Sequence, residues 1–380
     1  MSNKGNILLV ANWESNVGYA WWLMEGFWVE ISKYFEAEDI SSHLIYPKIT
    51  QLPETVSNSN IIVHECDFQS RSLNNMRKLY QLIKNHNIRF VYLSDSPAYG
   101  VFYILLRFFG VKKIVVHDHT PGERTRAKSW RKFLKSLVQR IPFYTADHFI
   151  AVTEYVYKRF IEVSCIPEKK CSVVSNGIEP IELNKADFKY AHKIFSIPED
   201  RTIIVTTGRA SYYKGIDFFI KCADELINKQ GMLQLHFLFC GDGPDMMSFQ
   251  DLVKQLGLES HFTFTGKRTD IRSILPSCQL GFHAATGEVG YSLSILEYMS
   301  AGLITIAPDN PSVSLATKHM KNGILYRSRN LESATKAIKT AVSSELAETI
   351  RKNAIQTVRD KYTIKNTNQQ LIDVLIPIFS

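Results

Sequence analysis

The sequence predicts an α/β protein made of two Rossmann-like, doubly wound parallel-sheet domains facing a central cleft. Three observations lead there. The chain has 380 residues, more than one hydrophobic core usually organises. Short apolar runs alternate with helix-period stretches almost throughout, which is the pattern of parallel strands covered by helices. The alternation also breaks once, near residues 180–200, where Pro180, Glu182, Asn184, Lys185 and Pro198 mark a connector.

The first series of strands is expected at 7–11, 43–46, 61–64, 90–94, 113–117, 148–152 and 172–174. The second is expected at 203–207, 234–240, 262–265, 280–283 and 303–307, with helices such as 217–229 and 292–301 between them. The predicted organisation is an N-terminal domain over 1–180, a linker over 181–200 and a second domain over 201–361. The stretch 362–380 is expected to form a helix that crosses back to the first domain. In doubly wound sheets, ligands bind at the carboxyl ends of strands, so chemistry is sought there.

Composition excludes several classes. The chain is 45% hydrophobic and 22% charged, and no stretch approaches the ~18–20 apolar residues of a membrane span. The apolar run at 7–11 is soon interrupted by Asn12, Glu14 and Asn16, so it reads as a buried strand and not as a signal peptide. A cytoplasmic protein is expected, peripheral on the inner face of the membrane if it docks there. Cys66, Cys165, Cys171, Cys222, Cys240 and Cys278 contain no C-x-x-C pair. They are expected to be reduced and structural, without a zinc site.

The net charge of +8 is concentrated. Residues 101–150 hold ten Lys or Arg against Asp118, Glu123 and Asp147. Inside this segment, Trp130 through Arg140 places Phe133, Leu134, Leu137 and Val138 at three- and four-residue steps with cations between them. That suits a helix on an anionic membrane surface, a core-packed helix with solvated cations, or a patch for an acidic acceptor. Trp21, Trp22, Phe27 and Trp28 form a second dense aromatic segment. No nucleic-acid motif is present.

The chemistry-bearing motifs lie mostly in the second half. Gly208-Arg209 follows a strand, and Lys214-Gly215 opens a helix. Cations near a helix N-terminus suit a pyrophosphate. Gly241-Asp242-Gly243-Pro244 ends another strand, and Gly266 the next. Then comes His283-Ala-Ala-Thr-Gly-Glu288-Val-Gly290-Tyr291-Ser292, followed by Leu293 and Glu297 on a helix that Ser292 would cap and Gly302 would end. A carboxylate projecting from that helix can accept hydrogen bonds from a sugar diol.

This ordered set resembles the donor domain of family 4 glycosyltransferases, which have the GT-B fold. Ser175-Asn176-Gly177-Ile178 and Ile150-Ala-Val-Thr-Glu154 also resemble family segments. The resemblance is close across about 150–320 and looser upstream. It implies a retaining enzyme that moves a hexose-type sugar from a nucleotide-diphosphate sugar to a glycan or lipid-linked acceptor, in cell-surface polysaccharide biosynthesis. Arg209 and Lys214 would bind the diphosphate. Gly208, Gly241, Gly243 and the backbone around Gly290, Tyr291, Ser292 and Leu293 would complete its site.

Under the same resemblance Glu297 would hold the ribose and Glu288 the transferred sugar. The family pattern has seven residues between these two glutamates, whereas eight stand here, which puts Val289 at the expected position. Either the loop has one extra residue or the first glutamate is absent in function. A strand-end histidine is also implied, and His117 and His119 compete for that role; two histidines flanking Asp118 leave metal binding there as a minor alternative. Gly18 and Tyr19 lie where related enzymes use a glycine loop beside the acceptor. No Asp-x-Asp occurs, and no metal or other cofactor is expected. Two rivals remain: a catalytically inactive binding protein of this fold, and a nucleotide-sugar epimerase or phosphorylase. Base, sugar, acceptor and linkage are not legible in the sequence.

Overall fold

A computed structural model describes residues 5–17, 21–122, 124–126 and 129–379. The chain forms two compact units. The first comprises 1–120, 124–175 and 367–380, and the second comprises 121–123 and 176–366.

In unit one the strands are β1 (Asn6–Val10), β2 (Ser42–Tyr46), β3 (Ile62–Glu65), β4 (Ile88–Ser94), β5 (Lys113–Asp118), β6 (His148–Ala151) and β7 (Cys171–Val173). All seven pair in parallel in the order β3-β2-β1-β4-β5-β6-β7. The helices are α1 (Trp21–Glu36), α2 (Glu54–Ser57), α3 (Leu73–Asn85), α4 (Val101–Phe109), α5 (Ser129–Val138) and α6 (Glu154–Arg159). The aromatic segment of α1 is largely core, since Phe27 and Trp28 are sealed while Trp22 stays exposed. Helix α5 differs, because no side chain on it is buried. Of its three sequence readings, the core-packed helix is therefore ruled out.

Unit two begins with α7 (Tyr190–Ile194) and β8 (Thr202–Thr207), followed by α8 (Ile216–Asp224), β9 (Leu235–Cys240), α9 (Met246–Gln255) and β10 (Phe262–Phe264). It continues with α10 (Ile271–Ile274), β11 (Leu280–Phe282), α11 (Leu293–Ser300), β12 (Ile304–Pro308), β13 (Ile324–Tyr326), α12 (Leu331–Ser343) and α13 (Ala347–Lys361). The parallel order is β10-β9-β8-β11-β12-β13. The last helix, α14 (Ile364–Phe379), is counted with unit one from Thr367 onward. There Phe379 packs against Phe35 and Phe90 at ring distances of 5.8 and 5.1 Å.

Two stretches differ from expectation. Residues 181–200, read as a linker, are packed into unit two: Ile181, Ala191 and Ile197 share a core with Ile203 and Leu275. The division between units falls earlier, after Ser175. Strand β13 was not anticipated, because three residues after a glycine carry no periodic signal. All six cysteines are free. Among the described residues, no helix is long and apolar enough to cross a membrane.

The core of unit two is aromatic. Phe219, fully buried on α8, meets Phe237, Phe262 and Phe282 at 5.1, 5.6 and 5.4 Å. This cluster presses α8 against β9, β10 and β11 and so fixes the loop that precedes α8. Replacing Phe219 with Ala is expected to cost about 3–5 kcal/mol through lost transfer energy and a residual cavity. Urea unfolding monitored by circular dichroism reads that loss.

Candidate functional site

Strand order reverses between β8 and β11 in unit two, and between β1 and β4 in unit one. At such a switch point, neighbouring crossovers leave on opposite faces and their loops part, which opens a crevice at the carboxyl edge. Most of the described residues singled out from sequence lie in the loops at these edges within each unit.

In unit two, the loop after β8 carries Gly208 and the exposed Arg209. It is held by its neighbour, the loop after β9. Gly208 N–H donates to Cys240 O at 3.1 Å, Ala210 N–H to Asp242 O at 2.9 Å, and Tyr212 N–H to the Asp245 carboxylate at 3.0 Å. A Cβ on Gly241 would stand 1.8 Å from Gly208 O, and one on Gly243 would stand 2.5 Å from Ala210 O. Both glycines therefore serve to let two backbones touch. Their place in the site is to position the Arg209 loop.

The same loop delivers Lys214, whose Nζ lies 2.6 Å from Glu288 Oε1. His283 Nε2 stands 3.5 Å from that same oxygen. Burial alone would raise the Glu288 carboxyl, but the Lys214 charge and the adjoining His283 bring it down to about 2. It is thus an ionised, nearly enclosed carboxylate. The loop between β11 and α11 is secured at two further points: Tyr213 Oη donates to Gly287 O, and Asn310 Nδ2 donates to Thr286 O at 3.0 Å.

Helix α11 follows this loop. The expectation that backbone N–H groups from Gly290 through Leu293 line an anion site needs one correction. Gly290 N–H already donates to Ser312 O at 2.7 Å, and Gly290 adopts a φ of +117°. Tyr291 is buried, with Oη donating to Asn176 O at 2.8 Å. Ser292 sits at the N-cap without a side-chain capping bond. The N–H groups of Ser292, Leu293 and Ser294 carry no backbone hydrogen bond among the described residues, as the start of a helix dictates. Ser294, missed in the sequence, therefore joins this set.

Glu297 sits in the middle of α11, beside Tyr298. The Tyr298 hydroxyl accepts Thr207 N–H at 2.7 Å. Gly281 makes that contact possible, because a Cβ there would lie 2.4 Å from the tyrosine ring. Burial raises the Glu297 carboxyl to about 7, with Arg272 opposing weakly. Two glutamates nine positions apart thus have opposite character, one held ionised by a lysine and one poised near neutrality.

In unit one, His117 is the penultimate residue of β5 and is fully buried, with Nδ1 2.5 Å from Tyr92 Oη. His119 is partly open; its N–H donates to Asp95 Oδ1 at 2.6 Å. The two rings lie 4.2 Å apart, and Phe27 of α1 packs on both. Burial lowers the pKa of each. His117 Nε2 and both ring nitrogens of His119 lack hydrogen-bond partners among the described residues. Such orphaned polar atoms ask for a ligand or water.

Asp118 turns the other way. Its carboxylate meets Arg159 at 3.1 Å and accepts Thr120 N–H at 2.9 Å, which braces the loop. Beside it lies a cavity of about 310 Å³ lined in part by Asp95, Asp118, Thr120 and Arg124. Asp95, Tyr92 and Arg159 were missed in the sequence, since none sits in a recognisable motif. Gly18 and Tyr19 lie outside the described residues.

The raised Glu297 carboxyl has a consequence for stability. The unfolded chain releases this proton first, near pH 4.5, so the folded state loses stability as pH rises from there through 7. Glu297→Gln is therefore expected to be more stable than the parent at pH 8, by up to roughly 3 kcal/mol. The difference should vanish below about pH 4.5, and melting temperatures across pH measure it.

Comparison with known proteins agrees with this fold. Residues 24–181 match Glycosyltransferase Family 4, and residues 187–357 match Glycosyl transferases group 1. An uncharacterised glycosyltransferase of Methanocaldococcus jannaschii is 23% identical over 239 residues, 61% of this chain and 60% of that protein. The matched region thus spans about three fifths of the curated relative's length. The crystal structure of a glycosyltransferase from Rickettsia africae is 17% identical and superposes with a TM-score of 0.80, over 100% of this chain and 99% of that one. That of Anabaena HepE in complex with UDP is 18% identical with a TM-score of 0.75, over 97% and 99%. With both halves matched and the parallel double sheet in place, the chain belongs to the family 4 glycosyltransferases of GT-B fold.

Proposed function

We propose that this chain is a retaining, metal-independent enzyme that moves a hexose-type sugar from a nucleoside diphosphate to a glycan or lipid-linked acceptor in cell-surface polysaccharide assembly. The observation that carries the reading is the Lys214–Glu288 pair at the β8/β11 switch point, with Arg209 on the same loop and the N-terminus of α11 following Glu288. Bond cleavage moves negative charge onto the diphosphate. Lys214, Arg209 and the N–H groups of Ser292, Leu293 and Ser294 are the groups to receive it, which is the electrostatic task a metal would otherwise serve.

Glu288, kept ionised by Lys214, accepts hydrogen bonds from hydroxyls of the transferred sugar. Its pairing with Lys214 favours the reading in which the loop carries one extra residue over the one in which the glutamate is lost. Glu297 accepts from the ribose diol, whose hydroxyls replace the water that burial strips from it. On the acceptor side His119 is the histidine that meets substrate, because His117 is sealed behind it and held by Tyr92. His117 is a positioning residue. Retention rests on membership of the family. The UDP bound in the Anabaena structure supports uridine as the first base to test.

The test is thermal stabilisation by UDP, GDP, ADP and CMP, run in EDTA beside Arg209→Ala and Lys214→Ala. One nucleotide at a hundredfold excess over its Kd should add about 2.7 kcal/mol, and both variants should lose that gain. With the matching donor and an acceptor, Lys214→Ala should lower kcat by about 10²–10³. No response to any nucleotide sinks the donor site. Binding without turnover would point to the inactive protein, and turnover only with Mg²⁺ or Mn²⁺ would overturn metal independence.

The acceptor is proposed to lie at an anionic membrane surface. In α5, Trp130 and Phe133 are 60% and 64% exposed, with Arg131 and Lys132 between them. Helix α4 adds Val101 and Phe108, and it is tied to the segment bearing Ile141 and Phe143 through Gly100 N–H donating to Tyr144 O at 2.9 Å. Near them Arg107, Arg140, Lys169 and Lys170 line a cleft of about 640 Å³, suited to acidic headgroups. Co-flotation with vesicles containing anionic lipid should occur, should weaken with salt and should be lost on combining Trp130→Ser with Phe133→Ser. Equal recovery with purely zwitterionic vesicles, or none with either, overturns this assignment.

A further inference from the structure

The far edge of the first sheet holds a second cluster of chemistry-bearing side chains. His43 lies on β2 and His64 on β3, in a register that pairs His43 with Ile62 and Ile45 with His64. Period-2 alternation therefore puts both rings on one face of the sheet, one diagonal step apart. His86 follows α3 as its C-cap and is drawn in by Asn6, whose Nδ2 donates to His86 O at 2.8 Å. Residues 43, 64 and 86 share no local motif, which is why nothing in the sequence announced them.

The rings converge closely. His43 Nδ1 and His64 Nε2 are 3.0 Å apart, and the His86 ring centroid lies 4.5 Å from that of His43 and 5.1 Å from that of His64. One ring nitrogen from each residue lies within 4.8 Å of the other two. Metal–imidazole bonds of about 2.0–2.1 Å in a tetrahedral site put ligand nitrogens roughly 3.4 Å apart. The cluster is near that spacing, so ring rotations rather than backbone movement would complete it. His43 is buried, while His64 and His86 are part-exposed, which leaves a side open for ion entry and for a water ligand.

We propose that His43, His64 and His86 form a binding site for a divalent transition-metal ion of the zinc type, separate from the catalytic machinery. Three imidazoles with an open position are a donor set for Zn²⁺, Co²⁺, Ni²⁺ or Cu²⁺ and a poor one for Mg²⁺ or Ca²⁺. Lys78 is the positive charge bearing on His64, and it is exposed. The ion would clamp β2, the edge strand β3 and the end of α3. The site lies toward the amino end of β2, whereas His117 and His119 stand at the carboxyl edge of β5. Its loading therefore reads in stability rather than in sugar transfer, and metal-independent chemistry is unaffected.

The test uses the full, untagged chain stripped of metal by chelation and titrated with Co²⁺, followed by visible absorption, then with Zn²⁺ by calorimetry. One equivalent should bind, with intense d–d bands of low-coordinate cobalt and a rise in melting temperature. His64→Gln and His86→Gln, both at part-exposed positions, should each weaken binding at least tenfold while His119→Gln leaves it unchanged. Melting curves in EDTA that match the parent show that the variants fold. Affinity weaker than about 100 μM in the parent overturns the proposal. So does affinity unchanged in both variants, or affinity lost in His119→Gln.

Discussion

In a parallel sheet every strand runs the same way, so each connection must cross over, mostly through a helix, and each strand delivers its carboxyl end to the same edge. Where strand order reverses, the crossovers part, and the loops there are covered by no helix. In this chain the reversal falls between β8 and β11 in one unit and between β1 and β4 in the other. Arg209, Lys214 and Glu288 are brought together because they follow the two strands that flank one reversal. His119 and Asp95 meet because they directly follow β5 and β4, which are hydrogen-bonded neighbours.

Close approach then sharpens the arrangement. Gly241 allows the β8 and β9 loops to touch through their backbones, and Gly281 allows Tyr298 to press against β11 and accept Thr207 N–H. These contacts fix α11 relative to β8, and with it the free N–H groups at the helix start. The aromatic core behind α8 supplies the rigidity from the other side. Nothing in this scaffold is chemically reactive, yet it sets the distance between a lysine and a glutamate far apart in the chain.

The electrostatics show how placement decides character. Glu288 and Glu297 are the same residue type, and both are largely withdrawn from water. Glu288 has a lysine at 2.6 Å and stays ionised, while burial outweighs the Arg272 charge at Glu297 and raises it to about 7. His117 and His119 divide similarly. One is locked behind Tyr92, and the other keeps an edge toward solvent with its ring nitrogens unsatisfied.

The sequence by itself determined the fold class and most of the strands, because period-2 and 3.6-residue patterns follow from local geometry. It also singled out the motifs of the candidate donor site, since Gly-Arg, Lys-Gly, Gly-Asp-Gly-Pro and the glutamate-bearing loop and helix each occupy one continuous stretch. Tertiary structure alone decided what depends on contacts between distant segments. It showed 181–200 anchored to the core of the second unit through Ile181, Ala191 and Ile197, Gly290 N–H already occupied by Ser312, and Gly241 and Gly243 serving backbone approach. It placed Lys214 against Glu288 despite the eight-residue spacing between Glu288 and Glu297, and it showed His117 sealed where His119 is partly open. The histidines at 43, 64 and 86 belong here too. They reside on two strands and a helix end, and only the sheet's register and the return of α3 bring their rings within reach of one ion.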